Sequence, residues 1–185
     1  PAISSNVKNL IDSGYIREVG EGANSLGRKS TLMAYNAERG FVIGVDLGRF
    51  RIRVMMSDLL GKPLSSMNSP TNTQDGGTGI ARHLKEMLLK AVEDSGKEKE
   101  KVLNICIGVP GVVSGEEIIL SPFLPPVNLA EIKAMVREEF DVPVRIENST
   151  NLGALGEKWS GSGRNFKNFA LINYGVGVGA AFVIN

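Results

Sequence analysis

The stretch FVIGVDLGRFRIRVMMSDLLGKPLSSMNS, Phe41 to Ser69, decides the fold. FVIGVDLG is an apolar run that carries Asp46 near its end, with Gly44 and Gly48 on either side, and it reads as a buried strand. RIRVMMSDL and KPLSSMNS come next as two more antiparallel strands, reversed at Leu60-Gly61-Lys62. Residues 69–78 are a polar linker rich in Thr, Asn, Gly and Asp, and residues 79–95 set Ile80, Leu84, Leu88, Ala91 and Val92 on one helical face. KEKEK is the solvated end of that helix rather than a binding tract. VLNICIGVPG is another buried strand with a turn at Val109-Pro110-Gly111. EEIIL is a short strand, and SPFLPP is a rigid loop, since each proline fixes its own φ and restrains the residue before it. NLAEIKAMVREEF is a second amphipathic helix, with Asn128 at its N-cap and Leu129, Ile132, Val136 and Phe140 along one side. VPVRIE is a strand, TNLGALGEKW a helix, and NFALINYGVGVGAAFVI a glycine-punctuated hairpin. The sum is an α/β layer on a mixed sheet, with functional loops at the strand ends near Asp46, Pro110, Asn148 and Tyr174.

Upstream of Phe41 the pattern is different. Residues 2–14 read as a helix, with Ile3, Val7, Leu10 and Ile11 at helical spacing and Gly14 as its cap. YIREV, the polar loop GEGANSLGRKS and TLMAYN then read as strand, loop, strand. That order is the second half of a winged helix. Ala2, Ser4, Ser5, Asn6 and Lys8 would belong to the recognition helix, and Arg28 and Lys29 would form a compact positive spot in the wing. A solvated hairpin is the plainer reading of the same loop. Composition shifts around Ala37 to Gly40, so the expected organisation is a partial winged helix over 1–37, a first lobe over 38–148 and the start of a second lobe over 149–185.

Bulk properties narrow the function. With 185 residues, 42% of them hydrophobic, the chain can bury a real core. A formal net charge of +1 gives no global pull on nucleic acid, so any DNA contact must come from a local patch. The single cysteine, Cys106, lies in an apolar run and excludes an internal disulfide, which suits a reducing cytosol; a buried, inert thiol is expected. No apolar run reaches membrane-spanning length and the first residues do not read as a signal peptide, so a cytoplasmic protein is expected. The chain opens on a helical pattern and stops in GAAFVIN, inside a strand pattern, so a fragment of a longer polypeptide is expected.

Three stretches bear on chemistry. In GVDLGRFR, an Asp at a strand end with glycine after it can hold a metal-bound phosphate if the next residues are small. Here Arg49 and Phe50 come after Gly48, and an ordinary turn with Asp46 satisfied by local backbone is the simpler reading. In NYGVGVGA, glycines 175, 177 and 179 either cradle a phosphate or keep a strand thin where another element packs close. In RIENSTNLGALGE, Arg145 to Glu157, Glu147 and Asn148 offer hydrogen-bonding groups, while Ser149 stands where an acid would be most useful as a general base. Ser149 needs a base to become a nucleophile, and the sole histidine, His83, reads as exposed on a surface helix. Ser149 also reads as the N-cap of the helix that starts beside it.

Together these segments resemble the ROK family (repressors, uncharacterised open reading frames and sugar kinases) over nearly the whole chain. The resemblance rests on AISSNVKNLIDSGYIREVGEG and GRKSTLMAYNAERGFVIGVDLG, then IGVPGVVSG, SPFLP, IENSTNLGALGE and GVGVGAAFV in that order. It implies an actin-like, ribonuclease-H-like α/β fold whose two lobes flank a sugar cleft. Kinase members use an Asp-Leu-Gly-Gly-Thr turn and a second glycine-rich turn for ATP, and an Asp directly after Glu-Asn as base. In this chain Arg49 and Phe50 replace the Gly-Thr pair, and Ser149 replaces the base. Asp46, Gly48, Gly175 and Gly177 are then a vestigial nucleotide site, and Pro110, Gly111, Asn148 and Ser149 a retained sugar site. Phe123 stands where many members carry Asn. The family's Glu-Gly-x-x-x-Gly-His motif and zinc loop would lie downstream of Asn185, and the early DNA-binding helices upstream of Pro1. The expectation is a sugar-responsive repressor, not an enzyme, that binds double-stranded operator DNA as a homodimer or higher homo-oligomer, with no metal or cofactor in this chain. An ATP-dependent sugar kinase is the alternative.

Overall fold

The computed structural model describes residues 2–22, 30–114, 117–121, 124, 127–175 and 177–185. Strands β3 (Phe41–Leu47), β4 (Arg51–Asp58), β5 (Pro63–Pro70), β6 (Val102–Val109) and β9 (Val144–Asn148) form one mixed sheet in the order β5-β4-β3-β6-β9. β3, β4 and β5 are an antiparallel meander, and β6 and β9 add in parallel beyond β3. Elements β1 and β2 (Ile16–Glu21, Thr31–Tyr35), β7 and β8 (Val112–Ser114, Glu117–Leu120), and β10 and β11 (Phe169–Tyr174, Val178–Val183) form three separate two-stranded pairs. The helices are α1 (Ala2–Asp12), α2 (Gly76–Ser95), α3 (Leu129–Phe140) and α4 (Ser149–Trp159).

Alternation along the strands explains which face is buried. In β3, Phe41, Ile43, Val45 and Leu47 point one way, and in β4 Ile52, Val54 and Met56 join them. Val102, Ile105, Ile107 and Val109 of β6 complete that face with Val144 and Ile146 of β9. The apolar stripes of α2 (Ile80, Leu84, Leu88, Ala91) and α3 (Leu129, Ile132, Val136, Phe140) cover it. Each of these side chains except Ala91 contributes about 1.5–3 kcal/mol by leaving water. Helix α4 lies against the other face. A Cβ at Gly108 would sit 3.2 Å from Leu152 and 3.4 Å from Ser149, so glycine there lets the helix approach β6.

Turn chemistry matches the sequence at the β4–β5 reversal. Gly61 takes φ +81°, and Asp58 Oδ1 accepts the N–H groups of Leu60 and Lys62, each at 2.9 Å. The expected polar linker over 69–78 is instead structured. β5 runs to Pro70, Asn72 caps a 3-10 turn over Thr73–Asp75, and α2 already begins at Gly76, whose φ of +66° redirects the chain. Glycine-rich composition hid that helix start. The β7 strand was also invisible, because three residues carry too little periodicity. Asn128 caps α3 as expected, accepting from Ala130 and Glu131.

The β10–β11 hairpin sits on α4. Gly179 passes so close to Thr150 that a Cβ would fall 2.6 Å from its hydroxyl, which favours the thin-strand reading of this glycine. The hairpin turns Ile172, Tyr174, Val178 and Phe182 outward. At the other end of the chain, α1 leads into β1 and β2. Asn36, just past β2, closes this unit by donating Nδ2–H to the Gly14 carbonyl at 3.0 Å, and the Arg39 guanidinium stacks on the Tyr15 ring at 3.8 Å.

Candidate functional site

β6 and β9 are parallel neighbours and end at the same edge of the sheet, with Gly108 opposite Glu147 and Val109 opposite Asn148. Beyond β6 the chain turns at Pro110-Gly111, where Gly111 takes φ +114°. Asn148 bridges this turn to α4. Its Nδ2 donates to the Gly111 carbonyl at 2.6 Å, while its Oδ1 accepts the N–H groups of Thr150 at 2.8 Å and Asn151 at 3.0 Å. Glu147 Oε1 in turn accepts the Asn148 N–H at 2.8 Å. Pro110, Gly111, Asn148 and Ser149 therefore meet at one strand-end cluster, and Asn148 and Ser149 are half-buried there.

Two expectations change at this point. Asn148, not Ser149, is the N-cap of α4, because β9 delivers residue 148 in an extended conformation and Asn is as good a cap as Ser. Ser149 is the first helical residue, and its hydroxyl makes no hydrogen bond among the described residues. Nor is Asp46 held by local backbone. Arg53, its cross-strand partner, donates to Asp46 Oδ2 from Nη2 at 2.8 Å and from Nε at 3.2 Å.

The turn after β3 is closed on itself. The Gly48 N–H donates to the Arg51 carbonyl at 2.9 Å, and the Thr71 hydroxyl donates to the Gly48 carbonyl at 2.7 Å. A phosphate cradle needs free N–H groups aimed at the anion; here the glycine's donor is already spent. Arg49 lies over the Phe50 ring at 5.3 Å, and Phe50 is exposed. Gly175 and Gly177 sit in the β10–β11 turn, where the Gly175 N–H donates to the Gly177 carbonyl at 2.9 Å.

Ser4, Ser5, Asn6 and Lys8 are exposed on the first turns of α1, and Ala2 is its first residue. Arg28, Lys29 and Phe123 lie outside the described residues. His83 is a correction: it is half-buried, with Nε2 2.8 Å from Ser69 Oγ, because α2 rests on β5 at that point. Cys106 is half-buried, and burial pushes its thiol pKa up, which disfavours the reactive thiolate. Among the described residues no group of three or more His, Cys, Asp or Glu could hold a metal, and no helix is long and apolar enough to cross a membrane. Sequence reasoning missed Gly108 and Arg53, whose roles depend on which strands pair.

Residues 42–185 match the signature of the ROK family. The chain belongs to the ROK family. A xylose repressor from Caldicellulosiruptor bescii is 31% identical over 185 residues, covering 99% of this chain and 46% of that protein. A glucokinase from Halalkalibacterium halodurans is 33% identical over 147 residues, covering 77% of this chain and 44% of its own length. Among solved structures, a ROK family transcriptional regulator described as a homologue of the E. coli MLC protein superposes with a TM-score of 0.73 at 24% identity, over 98% of this chain and 46% of the other. A ROK glucokinase from Streptomyces griseus, in complex with glucose and AMPPNP, gives 0.68 at 27% identity, over 78% of this chain and 45% of the other. The mixed α/β sheet is thus the one found in ROK sugar kinases and regulators. The chain spans about half the length of the curated ROK relatives it matches.

Proposed function

We propose that this ROK chain serves a sugar-responsive transcriptional repressor of carbohydrate genes, which binds a monosaccharide or related sugar without phosphorylating it. The observation that carries this reading is the pair of defects at the reaction centre. Ser149 stands beside Asn148 in place of a proton acceptor, and the Gly48 N–H is spent inside its own turn. Losing a general base costs roughly 10²–10⁴-fold in rate, yet a cleft without one still binds. The comparisons lend support through coverage: repressors match 98–99% of the chain, whereas the glucokinases match 77–79%, close to the length of the ROK segment alone. A repressor match over nearly the whole chain takes in the first forty residues, which lie outside the ROK segment.

In this reading residues 1–37 are part of a winged helix. Ala2, Ser4, Ser5, Asn6 and Lys8 of α1 enter a major groove, and Arg28 and Lys29 meet phosphates. Sugar at Pro110, Gly111, Asn148 and Ser149 favours one arrangement of the lobes and so shifts operator affinity. Palindromic operators call for a symmetric dimer, acting in the cytoplasm.

The rival is an ATP-dependent ROK sugar kinase, and one experiment separates the two. Genomic fragments are tested for mobility shift by the protein with and without a panel of sugars, while ADP formation is tracked in the same mixtures. A retarded fragment released by one sugar, with no ADP formed and affinity falling steeply with salt, is the expected result. Brisk ADP formation that Ser149→Asp fails to increase defeats the proposal.

A further inference from the structure

A second cleft, of about 650 Å³, lies between the edge strand β5 and the N-terminal half of α2. None of its lining residues belongs to the Pro110–Ser149 cluster. Ile52, Pro70 and Ile80 give it an apolar floor, and Arg82 and Glu86 stand at its rim with opposite charges. Between them are Ser69 and His83. Ser69 pairs with Ile52 across the sheet and so faces α2. His83 Nε2 lies 2.8 Å from Ser69 Oγ, and Glu86, one turn further along the helix, brings Oε2 to 3.7 Å from His83 Nδ1.

We propose that this cleft is an acyl-transfer site for small uncharged esters, with Ser69 as nucleophile and His83 as general base. The requirement is a hydroxyl within hydrogen-bond reach of an imidazole whose far nitrogen faces a carboxylate. In the tautomer that carries its proton on Nδ1, on the side facing Glu86, the Nε2 lone pair accepts the Ser69 hydroxyl. A tie that merely docked α2 on β5 would need neither the carboxylate nor the adjoining cavity. The His83 side chain is 35% exposed, so the pair is accessible to a ligand in the cleft. With one cation and one anion at the rim and an apolar floor, the cleft favours neither anionic nor cationic substrates.

The chemistry balances without an oxidant or a metal. Ser69 Oγ bonds to the ester's carbonyl carbon as its proton passes to His83 Nε2. The tetrahedral species collapses, the C–O bond to the leaving alcohol breaks, and that oxygen takes the proton from His83. Water then attacks the acyl-serine, again giving a proton to His83, and the carboxylic acid leaves as Ser69 Oγ recovers its proton.

The test treats the chain with a fluorophosphonate probe, maps the modified serine by mass spectrometry, and measures p-nitrophenyl acetate hydrolysis in parallel. Ser66, exposed on the same strand, is the internal reference. Labelling of Ser69 about 100-fold faster than Ser66, lost in Ser69→Ala and reduced about 100-fold in His83→Gln, is expected. Ester hydrolysis should disappear with Ser69→Ala. Equal labelling of Ser69 and Ser66 in the unmodified chain overturns the proposal without recourse to any variant. So does ester hydrolysis that survives Ser69→Ala, since the imidazole would then be reacting directly.

Discussion

Asn148 holds the strand-end cluster together through one side-chain amide. It caps α4 with its oxygen and anchors the Gly111 turn with its nitrogen. Replacing it separates the two roles. Asn148→Ala should destabilise the chain by about 1–3 kcal/mol, adding a lost cap to a lost part-buried hydrogen bond. Asn148→Ser keeps an oxygen for the cap and loses the donor to Gly111 without adding a charge, so its urea midpoint should lie between those of the parent and the Ala variant. Equal midpoints for the two variants would mean that capping contributes nothing. At this scale the sequence was informative where a residue's chemistry acts locally. Asn148, Ser149, Pro110 and Gly111 could be picked out because they are close to one another in two short motifs. Arg53 could not, because its bond to Asp46 exists only once β3 and β4 are in register. Gly108 could not, because its small size matters only where α4 crosses β6.

Helices α2 and α3 lie side by side on the sheet, joined at their solvent edge by a carboxylate shared between two ammonium groups. Glu139 of α3 meets Lys85 of α2 and Lys99 of the loop before β6, each at 2.9 Å. The hydrogen bond from Lys99, then that from Lys85, holds the Glu139 pKa below the usual carboxylate range. A carboxylate with a lowered folded-state pKa stabilises the fold above its unfolded pKa, and the benefit fades as pH falls through the folded value. The melting temperature of Glu139→Gln should therefore be lower than the parent's at neutral pH, and the gap should close under acid below the ordinary glutamate range. A gap that stays constant across that range would show that charge is not the cause. Elements of this kind were legible wherever a stripe of apolar residues repeats, as in α2, α3 and β3. They were illegible where glycine opens a helix, as at Gly76, or where a strand is only three residues long, as in β7.

Among the described residues, few contacts join the small N-terminal unit to the ROK lobe. Asn36 and the Arg39–Tyr15 stack lie at that junction. A cation–π contact at an exposed site is worth about 0.5–1 kcal/mol. Arg39→Ala should thus speed amide exchange in β1 and β2 about two- to five-fold while leaving β3 and β6 unchanged. Equal acceleration in the lobe would mean that the two parts open as one unit. The order of elements and the mixed sheet could be read from the sequence, because hydrophobic periodicity and chain order constrain both. The placement of the N-terminal unit could not, because it rests on single side chains rather than on a periodic face.

Strand β5, at the outer margin of the sheet, starts with Pro63 and finishes with Pro70. Neither residue has an amide hydrogen to offer an incoming backbone, and the residues between them are mostly short and polar. A second copy cannot zip onto that margin along its full length. The protein thereby carries its own guard against fibril-like growth on that side, at the border next to which Ser69 and His83 meet.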